Sequence, residues 1–576
     1  MKGSRIIKIA GKNGGKERMC CGCVWFAVVT QAHFWYALSS MKKLFFDTRT
    51  LDAACRSRYG LTEEIMMENA AAALEQSIRS FSPDGGRALH VFILCGSGNN
   101  GADGYALLRR LSGSCALTAV SVQEPKSALC VAQAERAQKA AVTILPPAAS
   151  CKALEALEEA EAQSFSSGQP PVQLVFVDCV FGSGFHGELD DSIQELFQKI
   201  EQIAARSDAH CYRLACDVPT GVRADGTVAA GAFCADCTVT MGAEKLSLYS
   251  DAAKDCVGTV VTADLGVSRA LFEATEPPCA QLLERSDCAL PTRTRKNSHK
   301  GQFGHVAVAA GEKIGAACIA GTAALRFGAG LVTLVSLTGA SDFSAISPEL
   351  MSARTLPEKT TALALGMGLG RAVPALPSAS AAPPAPVATS TPTPAQPYCD
   401  WLLAHPAVPA VIDADALYAP ELPALLSRRA AGIVLTPHAK EFIALLENCG
   451  CASSTAAPRS CEEALSRRPE LMEAFCRSYP GAVLLVKGAN VMIGQYDGSS
   501  MHLYVNPFGS AALSKAGSGD VLAGLIAALL AQGYPSLSAC ISGSLAHALS
   551  SRRVAGTYSL TPLTLIDAVA ALELSV

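Results

Sequence analysis

The chain of 576 residues is poor in charge: 17% of its residues are charged and the formal net charge is −4. That balance carries no electrostatic footprint for nucleic acid and favours a small-molecule partner. An uninterrupted apolar run able to span a bilayer is also missing. The nearest, from Cys20 to Ser40, is broken by Gln31 and His33, so neither a membrane helix nor a well-formed signal peptide is expected. The 23 cysteines lack disulfide-framework spacing. Most, such as Cys95, Cys179, Cys216 and Cys318, sit inside apolar strand-like or helical runs and read as buried, reduced thiols. Cys20, Cys21 and Cys23 lack a following cysteine or histidine pair at ligand spacing, which argues against zinc.

What is present is periodic. A second start, "MKKLFFDTRTLDAACRSRYG" from Met41, marks residues 1–40 as an extension, untranslated or disordered, ahead of a cytoplasmic protein. From there short continuous apolar runs alternate with helical stretches: "LHVFIL", "ALTAVSV", "VQLVFVDCV", "YRLACDVP", "CTVTMG" and "VGTVVTADLG". Continuous apolarity predicts a buried parallel sheet, Rossmann-like, with helices on both faces. A second series, from "GHVAVAAG" to "AVLLVKGANVMIG", predicts a second α/β domain. The expected domains are 41–280 and 281–576. The Pro/Ala/Ser/Thr-rich segment 372–397 is expected to be a disordered loop insertion within the second.

The stretch "LHVFILCGSGNNGADGYALLRRL" holds Gly96, Gly98 and Gly101 in G-x-G-x-x-G spacing. This pattern fits a dinucleotide cradle with Glu124 as the later acidic residue, and equally a tight strand-to-helix turn. Two further strand ends, "VDCVFGSGFHGE" and "CDVPTG", bring Asp178, Asp217 and Thr220 to the edge that already carries Asn99, Asn100 and Asp103. Those oxygens suit a hard cation, and Gly182 to Gly184 a phosphate. Capping and turn formation are the bland alternatives. In the second series, Gly517, Gly519 and Asp520 open an apolar helix. Its N-terminal N–H groups suit an anion, with Asp520 as acid or base beside it; alone, this suggests a kinase.

In order, "GNNGADG", "VDCVFGSG" and "DVPTG", with "MMENAAAAL" before them, resemble the motifs of NAD(P)H-hydrate epimerases. "HKGQFGHVAVAAG", "GMGLGR", "DADAL", "TPHAKEF", "KGANVMI" and the G-x-G-D element resemble those of ADP-dependent NAD(P)H-hydrate dehydratases, with a ribokinase-like fold. The resemblance implies a bifunctional enzyme for hydrated NADH and NADPH: an isomerase that interconverts R and S hydrates, and a lyase that dehydrates the S form using ADP or ATP.

By that resemblance Asn99, Asn100, Gly101, Ala102 and Asp103 contact the hydrate, and Asn100, Asp178 and Thr220 surround a potassium ion. Gly182, Ser183, Gly184, Phe185, His186, Gly187, Glu188 and Asp217 complete the pocket, with Glu188 and Asp217 as candidate acid and base. In the second domain Ala316, Gly368 and His438 contact the hydrate. Lys487, Gly488, Ala489, Asn490, Val491 and Gly519 hold the nucleotide with magnesium, and Asp520 is the central acid or base. Ala102, Thr220, Met367, Ala439, Lys440, Asn490 and Val491 depart from the usual family residues. His438 has a plain alternative as a helix cap. A homo-oligomer without nucleic-acid or membrane partners is expected. The alternative function is a ribokinase-like small-molecule kinase fused to a Rossmann-type domain.

Overall fold

Each continuous apolar run of the first half contains a strand, and the central ones, Leu89–Cys95 and Gln173–Cys179, are buried over most of their length. In the computed structural model the described residues are 41–81, 88–140, 142–166, 172–206, 210–344, 346–371, 393–451, 457–554 and 556–572. The extension 1–40, with its three cysteines, lies outside them. The first sheet runs Ile144–Leu145, Ala116–Ser121, Leu89–Cys95, Gln173–Cys179, Cys211–Cys216, Cys237–Met241 and Thr259–Ala263, all parallel. Its side chains alternate between two cores, as strand geometry requires. Val91, Ile93, Val175 and Val177 pack with helices Glu63–Phe81 and Asn99–Leu111. Phe92, Leu94, Leu174 and Phe176 pack with Leu196, Phe197 and Ile200 on the other face. Helix Asp191–Arg206 lies there because Ile193, Leu196, Phe197, Ile200 and Ile203 form one apolar stripe, all buried.

The second sheet begins with seven parallel strands, in the order Met351–Ala353, Leu331–Val335, His305–Ala309, Ala362–Leu365, Ala410–Ile412, Ile433–Leu435 and Val483–Val486. The antiparallel strands Val491–Tyr496 and Met501–Asn506 follow. Three more strands then extend it to twelve: Ala280–Leu282, Lys42–Phe45 and Glu244–Lys245. Two of these come from the N-terminal half, so one sheet contains strands of both halves, and the expected boundary at 280/281 falls inside a strand. The apolar core is continuous there as well, joining Leu44, Val222, Leu246 and Leu248 to Leu282 and Val505. Lys42 to Val576 accordingly forms one compact unit.

Helix Ser518–Ala531 is buried on all sides from Val521 onward. It crosses helix Ile314–Arg326 closely: a Cβ on Gly524 would stand 2.2 Å from the Ala320 carbonyl oxygen. Most of the expected disordered insertion, 372–392, lies outside the described residues. Its last part, 393–397, corrects that expectation. Thr393 and Ala395 are buried, and helix Gln396–Ala404 starts within the segment, with the Gln396 N–H donating to Thr393 Oγ1 at 3.2 Å. Tyr398 anchors that helix by donating its hydroxyl to the Val335 carbonyl at 2.7 Å.

Candidate active sites

Three adjacent strands of the first sheet, Leu89–Cys95, Gln173–Cys179 and Cys211–Cys216, end together, where open parallel sheets bind ligands. The glycine-rich loop serves close packing first. A Cβ on Gly96 would lie 2.0 Å from the Val180 carbonyl oxygen, and one on Gly101 would lie 2.0 Å from that of Gly96. Gly101 and Ala102, two of the expected substrate contacts, are both buried in the first turn of the helix. Ala102 has no need of glycine's left-handed freedom there. Gly98 starts helix Asn99–Leu111 without a side-chain cap, which leaves the first N–H groups to solvent or an anion.

Asp217 is the centre of this edge. Its φ of 68° is left-handed; among the described residues only Ala414 also has a positive φ without being glycine. Such conformations are sparsely populated and persist where surrounding contacts enforce them. The enforcing contacts are donors to the Asp217 carboxylate: Lys245 Nζ at 2.7 Å, and the N–H groups of Met241 and Ser183 at 3.2 Å each. Burial pushes this carboxyl up, but Lys245, itself 1% exposed, together with the Met241 and Ser183 N–H groups outweighs it and holds Asp217 below the usual carboxylate range. Asp103 goes the other way: burial and then the Asp217 charge push it well above its ordinary value. Asp52 is likewise pushed up to about 6 by burial. A Cβ on Gly182 would meet Asp217 Oδ2 at 3.0 Å and Asn100 Oδ1 at 3.3 Å, which places Asn100 beside the same carboxylate. The Asn100 amide nitrogen is buried without a hydrogen-bond partner.

Asp178 is fully buried and accepts from Thr220 N–H and Oγ1, both at 2.7 Å, and from Val180 N–H at 3.0 Å. Among the described residues no lysine, arginine or histidine pairs with it, and burial pushes it up to about 6. A buried carboxylate and hydroxyl without counter-charge form an oxygen donor set of the kind that suits a hard cation. In the loop that follows, Ser183 binds Asp217 and Phe185 is buried, whereas Gly184, His186, Gly187 and Glu188 are exposed. His186 turns back to the Gly184 carbonyl at 3.0 Å. Glu188 is 75% exposed and paired with Arg223 at 2.7 Å, so it is not brought onto the Asp217 cluster. Lys245 and Asp52 escaped the sequence reading because neither lies in a glycine-marked turn.

At the second sheet, Lys487 donates to both Asp413 oxygens at 2.7 and 2.9 Å. Asp413 is buried, and the strained Ala414 follows it. Gly519 lies under this pair: a Cβ there would be 3.2 Å from Lys487 Nζ. Asp520, in the first turn of its helix, is pushed up to about 6 by burial and by Asp413, with Lys487 opposing. Burial and Asp413 also raise Glu441. Ala316 and Gly368 come together, since a Cβ on Gly368 would meet the Ala316 Cβ at 3.1 Å. His438 does cap helix Ala439–Asn448: its Nδ1 accepts from Lys440 and Glu441 N–H at 3.2 and 3.3 Å, and its ring is 52% exposed. Asn490 is 3% exposed, and its side chain is committed to Tyr249, Ser250 and Lys254.

The NAD(P)H-hydrate dehydratase family model matches residues 306–571, and the model described as the YjeF-related protein N-terminus matches 63–247. A Helicobacter pylori protein, the bifunctional NAD(P)H-hydrate repair enzyme Nnr, is 38% identical over 529 residues, covering 92% of this chain and 99% of its own length. The chain belongs to the bifunctional NAD(P)H-hydrate repair enzyme family. Its Moorella thermoacetica member is 31% identical over 524 residues, covering 86% of this chain and 89% of that protein. The repair-enzyme chain also aligns with a solved Bacillus subtilis ADP/ATP-dependent NAD(P)H-hydrate dehydratase, co-crystallised with ATP/Mg2+, at 22% identity and a TM-score of 0.36. That alignment covers 50% of this chain and 94% of the other. The matched N-terminal segment contains Asp178, Asp217 and Lys245, and the C-terminal one contains Asp413, Lys487 and Asp520. Among the described residues no helix is long and apolar enough to cross a membrane.

Proposed function

We propose that the protein repairs hydrated NADH and NADPH in the cytoplasm, as a homo-oligomer without nucleic-acid partners. Residues 41–280 interconvert the R and S hydrates, and residues 281–576 dehydrate the S form with ADP or ATP. The observation that carries this reading is the family match: a bifunctional repair enzyme aligned over 99% of its length, so that both halves are represented. A kinase fused to a Rossmann-type domain accounts for Asp520 and Gly519 but leaves the Asp217 cluster without a role.

In the N-terminal half the nicotinamide ring sits against the Asp217 edge. Asn99, Asn100 and Ser183 hold the hydrate. The protonated Asp103 carboxyl donates to the departing C6 hydroxyl, and ionised Asp217 receives a proton from the water that returns on the other face. Two carboxyls driven in opposite directions by their surroundings suit acid and base roles in one reaction. Asn100, Asp178 and Thr220 are the residues that would hold potassium, whose charge would offset the buried carboxylate.

In the C-terminal half Lys487, Gly488, Ala489, Val491 and Gly519 bind the nucleotide, with its phosphates at the N-terminus of helix Ser518–Ala531. Magnesium bound with the nucleotide would neutralise phosphate charge. Asp520 takes the proton of the C6 hydroxyl as that oxygen accepts the terminal phosphoryl group. Phosphate then leaves, driven by the ring nitrogen lone pair, and loss of a C5 proton to water restores the 5,6 double bond of the reduced nicotinamide. Ala316, Gly368 and His438 line the hydrate side.

The test supplies purified protein with mixed R and S NADH hydrates and ADP and follows the return of reduced-nicotinamide absorbance. The natural chain is expected to recover both epimers. Asp520→Ala is expected to abolish recovery, and Asp217→Ala to preserve recovery of the S form and slow the R form to its spontaneous rate. Full repair by Asp520→Ala overturns the assignment of the second site.

A further inference from the structure

The turn 487–491 joins the antiparallel strands Val483–Val486 and Val491–Tyr496 of the C-terminal half, yet it is held from the N-terminal half. Lys254 Nζ donates to the Ala489 carbonyl at 2.6 Å, to Asn490 Oδ1 at 2.6 Å and to the Pro507 carbonyl at 3.2 Å. An ammonium group has three protons, and all three have acceptors here. Asp251 Oδ1 accepts from Asn490 N–H at 2.9 Å and from Arg468 Nη2 at 3.3 Å, while Arg468 Nη1 donates to the Asn490 carbonyl at 2.9 Å. The Asn490 amide donates to the carbonyls of Tyr249 and Ser250 at 3.0 and 3.4 Å. Every polar group of Asn490, main chain and side chain, is thus tied to residues 249–254 or to Arg468.

The contact is close at two glycines of this region. A Cβ on Gly488 would stand 2.1 Å from Asp251 Oδ2, and one on Gly509 would stand 2.3 Å from the Ala489 carbonyl oxygen and 3.6 Å from Lys254 Nζ. The Asp251 carboxylate therefore lies directly on the backbone of the turn, and Lys254 bridges that turn to the loop after strand Met501–Asn506. Lys487, which begins the turn, is the residue that reaches Asp413 beside Gly519.

We infer that Asp251 and Lys254 are positioning residues for the nucleotide: the N-terminal half fixes the backbone shape of the turn that binds ADP or ATP in the C-terminal half. This rests on the placement of the nucleotide at residues 487–491 proposed above. It also gives a role to Asn490, whose departure from the usual family residue has a partner in residues 249–254. A role confined to stability would lower the unfolding temperature while leaving nucleotide affinity alone. A positioning role moves nucleotide affinity selectively, because Lys254 and Asp251 are tied to the turn and to the Pro507 carbonyl, with no bond to the expected hydrate contacts Ala316, Gly368 and His438.

The experiment uses full-length Lys254→Met, Lys254→Arg, Asp251→Asn and, as a reference, Lys487→Met. ADP binding is measured by calorimetry, and dehydratase KM and kcat are measured for ADP and for the S hydrate. Lys254→Met and Asp251→Asn are expected to raise the ADP Kd and KM about tenfold, with the S-hydrate KM and the epimerase rate within about twofold of the natural chain. Lys254→Arg, which keeps the charge, recovers part of the loss. Asp251→Asn keeps the shape of the side chain and gives a folded variant should Lys254→Met not fold. Unchanged ADP affinity in Lys254→Met and Asp251→Asn, alongside a loss in Lys487→Met, overturns the inference alone. Unchanged ADP affinity in all of them overturns the placement of the nucleotide as well. A fall in unfolding temperature without a change in ADP affinity reduces the pair to a structural tie and also overturns it.

Discussion

At the scale of single residues, function follows from where burial is balanced by charge and where it is not. Asp217 has Lys245 and stays ionised, whereas Asp103 has a thiol, Cys216 Sγ at 3.8 Å, and is driven toward its neutral form. Glu188, one of the two carboxylates that the motifs offer as acid and base, is exposed and paired with Arg223. Asp103→Asn is accordingly expected to slow epimerisation by 10²-fold or more, a typical contribution of general acid–base catalysis, while Glu188→Gln stays within about threefold on the same scale. Initial rates of R-hydrate conversion separate the two, and the reverse ranking would return the acid role to Glu188. Asp520 gives a pH dependence whose sign is fixed by its task. Burial raises it to about 6, and as a base it works ionised. Dehydratase kcat/KM for the S hydrate should therefore rise with pH through about 6 and level off above it, because that ratio reports the free enzyme's groups. A profile flat from pH 5 to 8 would remove Asp520 from the base role.

At the scale of elements, the contiguous motifs were legible and the ties between distant segments were not. The runs "LHVFIL", "VQLVFVDCV" and "YRLACDVP" are strands as read, because burial on both faces of a parallel sheet leaves an unbroken apolar signature. The residues that the glycine turns bring to one edge, Asn100, Asp217 and Ser183, were found for the same reason. Strands of two or three residues, such as Glu244–Lys245 and Ala280–Leu282, carry too few side chains to show a period. Lys245 was missed with them, and the tie from Lys254 to Asn490 joins positions 236 residues apart. The glycine motif itself had two readings, and geometry divides them: Gly96 and Gly101 are there for packing, whereas Gly98 opens the helix N-terminus. A Cβ at Gly101 would stand 2.0 Å from the Gly96 backbone oxygen, so the loop or the helix must shift to admit it. Gly101→Ala should cost about 1–3 kcal/mol of stability, as overpacking typically does, and should lower epimerase activity by displacing helix Asn99–Leu111. Denaturant unfolding with no loss would show that the loop yields.

At the scale of the whole molecule, the two halves share structure that a two-domain reading of the sequence separates. Strand Lys42–Phe45 lies between Glu244–Lys245 and Ala280–Leu282, and through the latter it joins Met501–Asn506 and the dehydratase sheet. Leu44, at its centre, is fully buried in a core that also contains Val222, Leu246, Leu282 and Val505. Truncating a buried leucine to alanine costs about 2–5 kcal/mol through lost contacts and the cavity left behind. Because that cavity borders segments of both halves, the cost cannot be confined to one activity. Leu44→Ala is expected to lower the temperatures of heat inactivation of the epimerase and the dehydratase together and by similar amounts, although Leu44 is not itself one of the proposed site residues. Assaying both reactions on the same heated samples checks it. Loss of epimerase alone, with the dehydratase as heat-resistant as in the natural chain, would mean that the shared strands join two bodies that unfold independently.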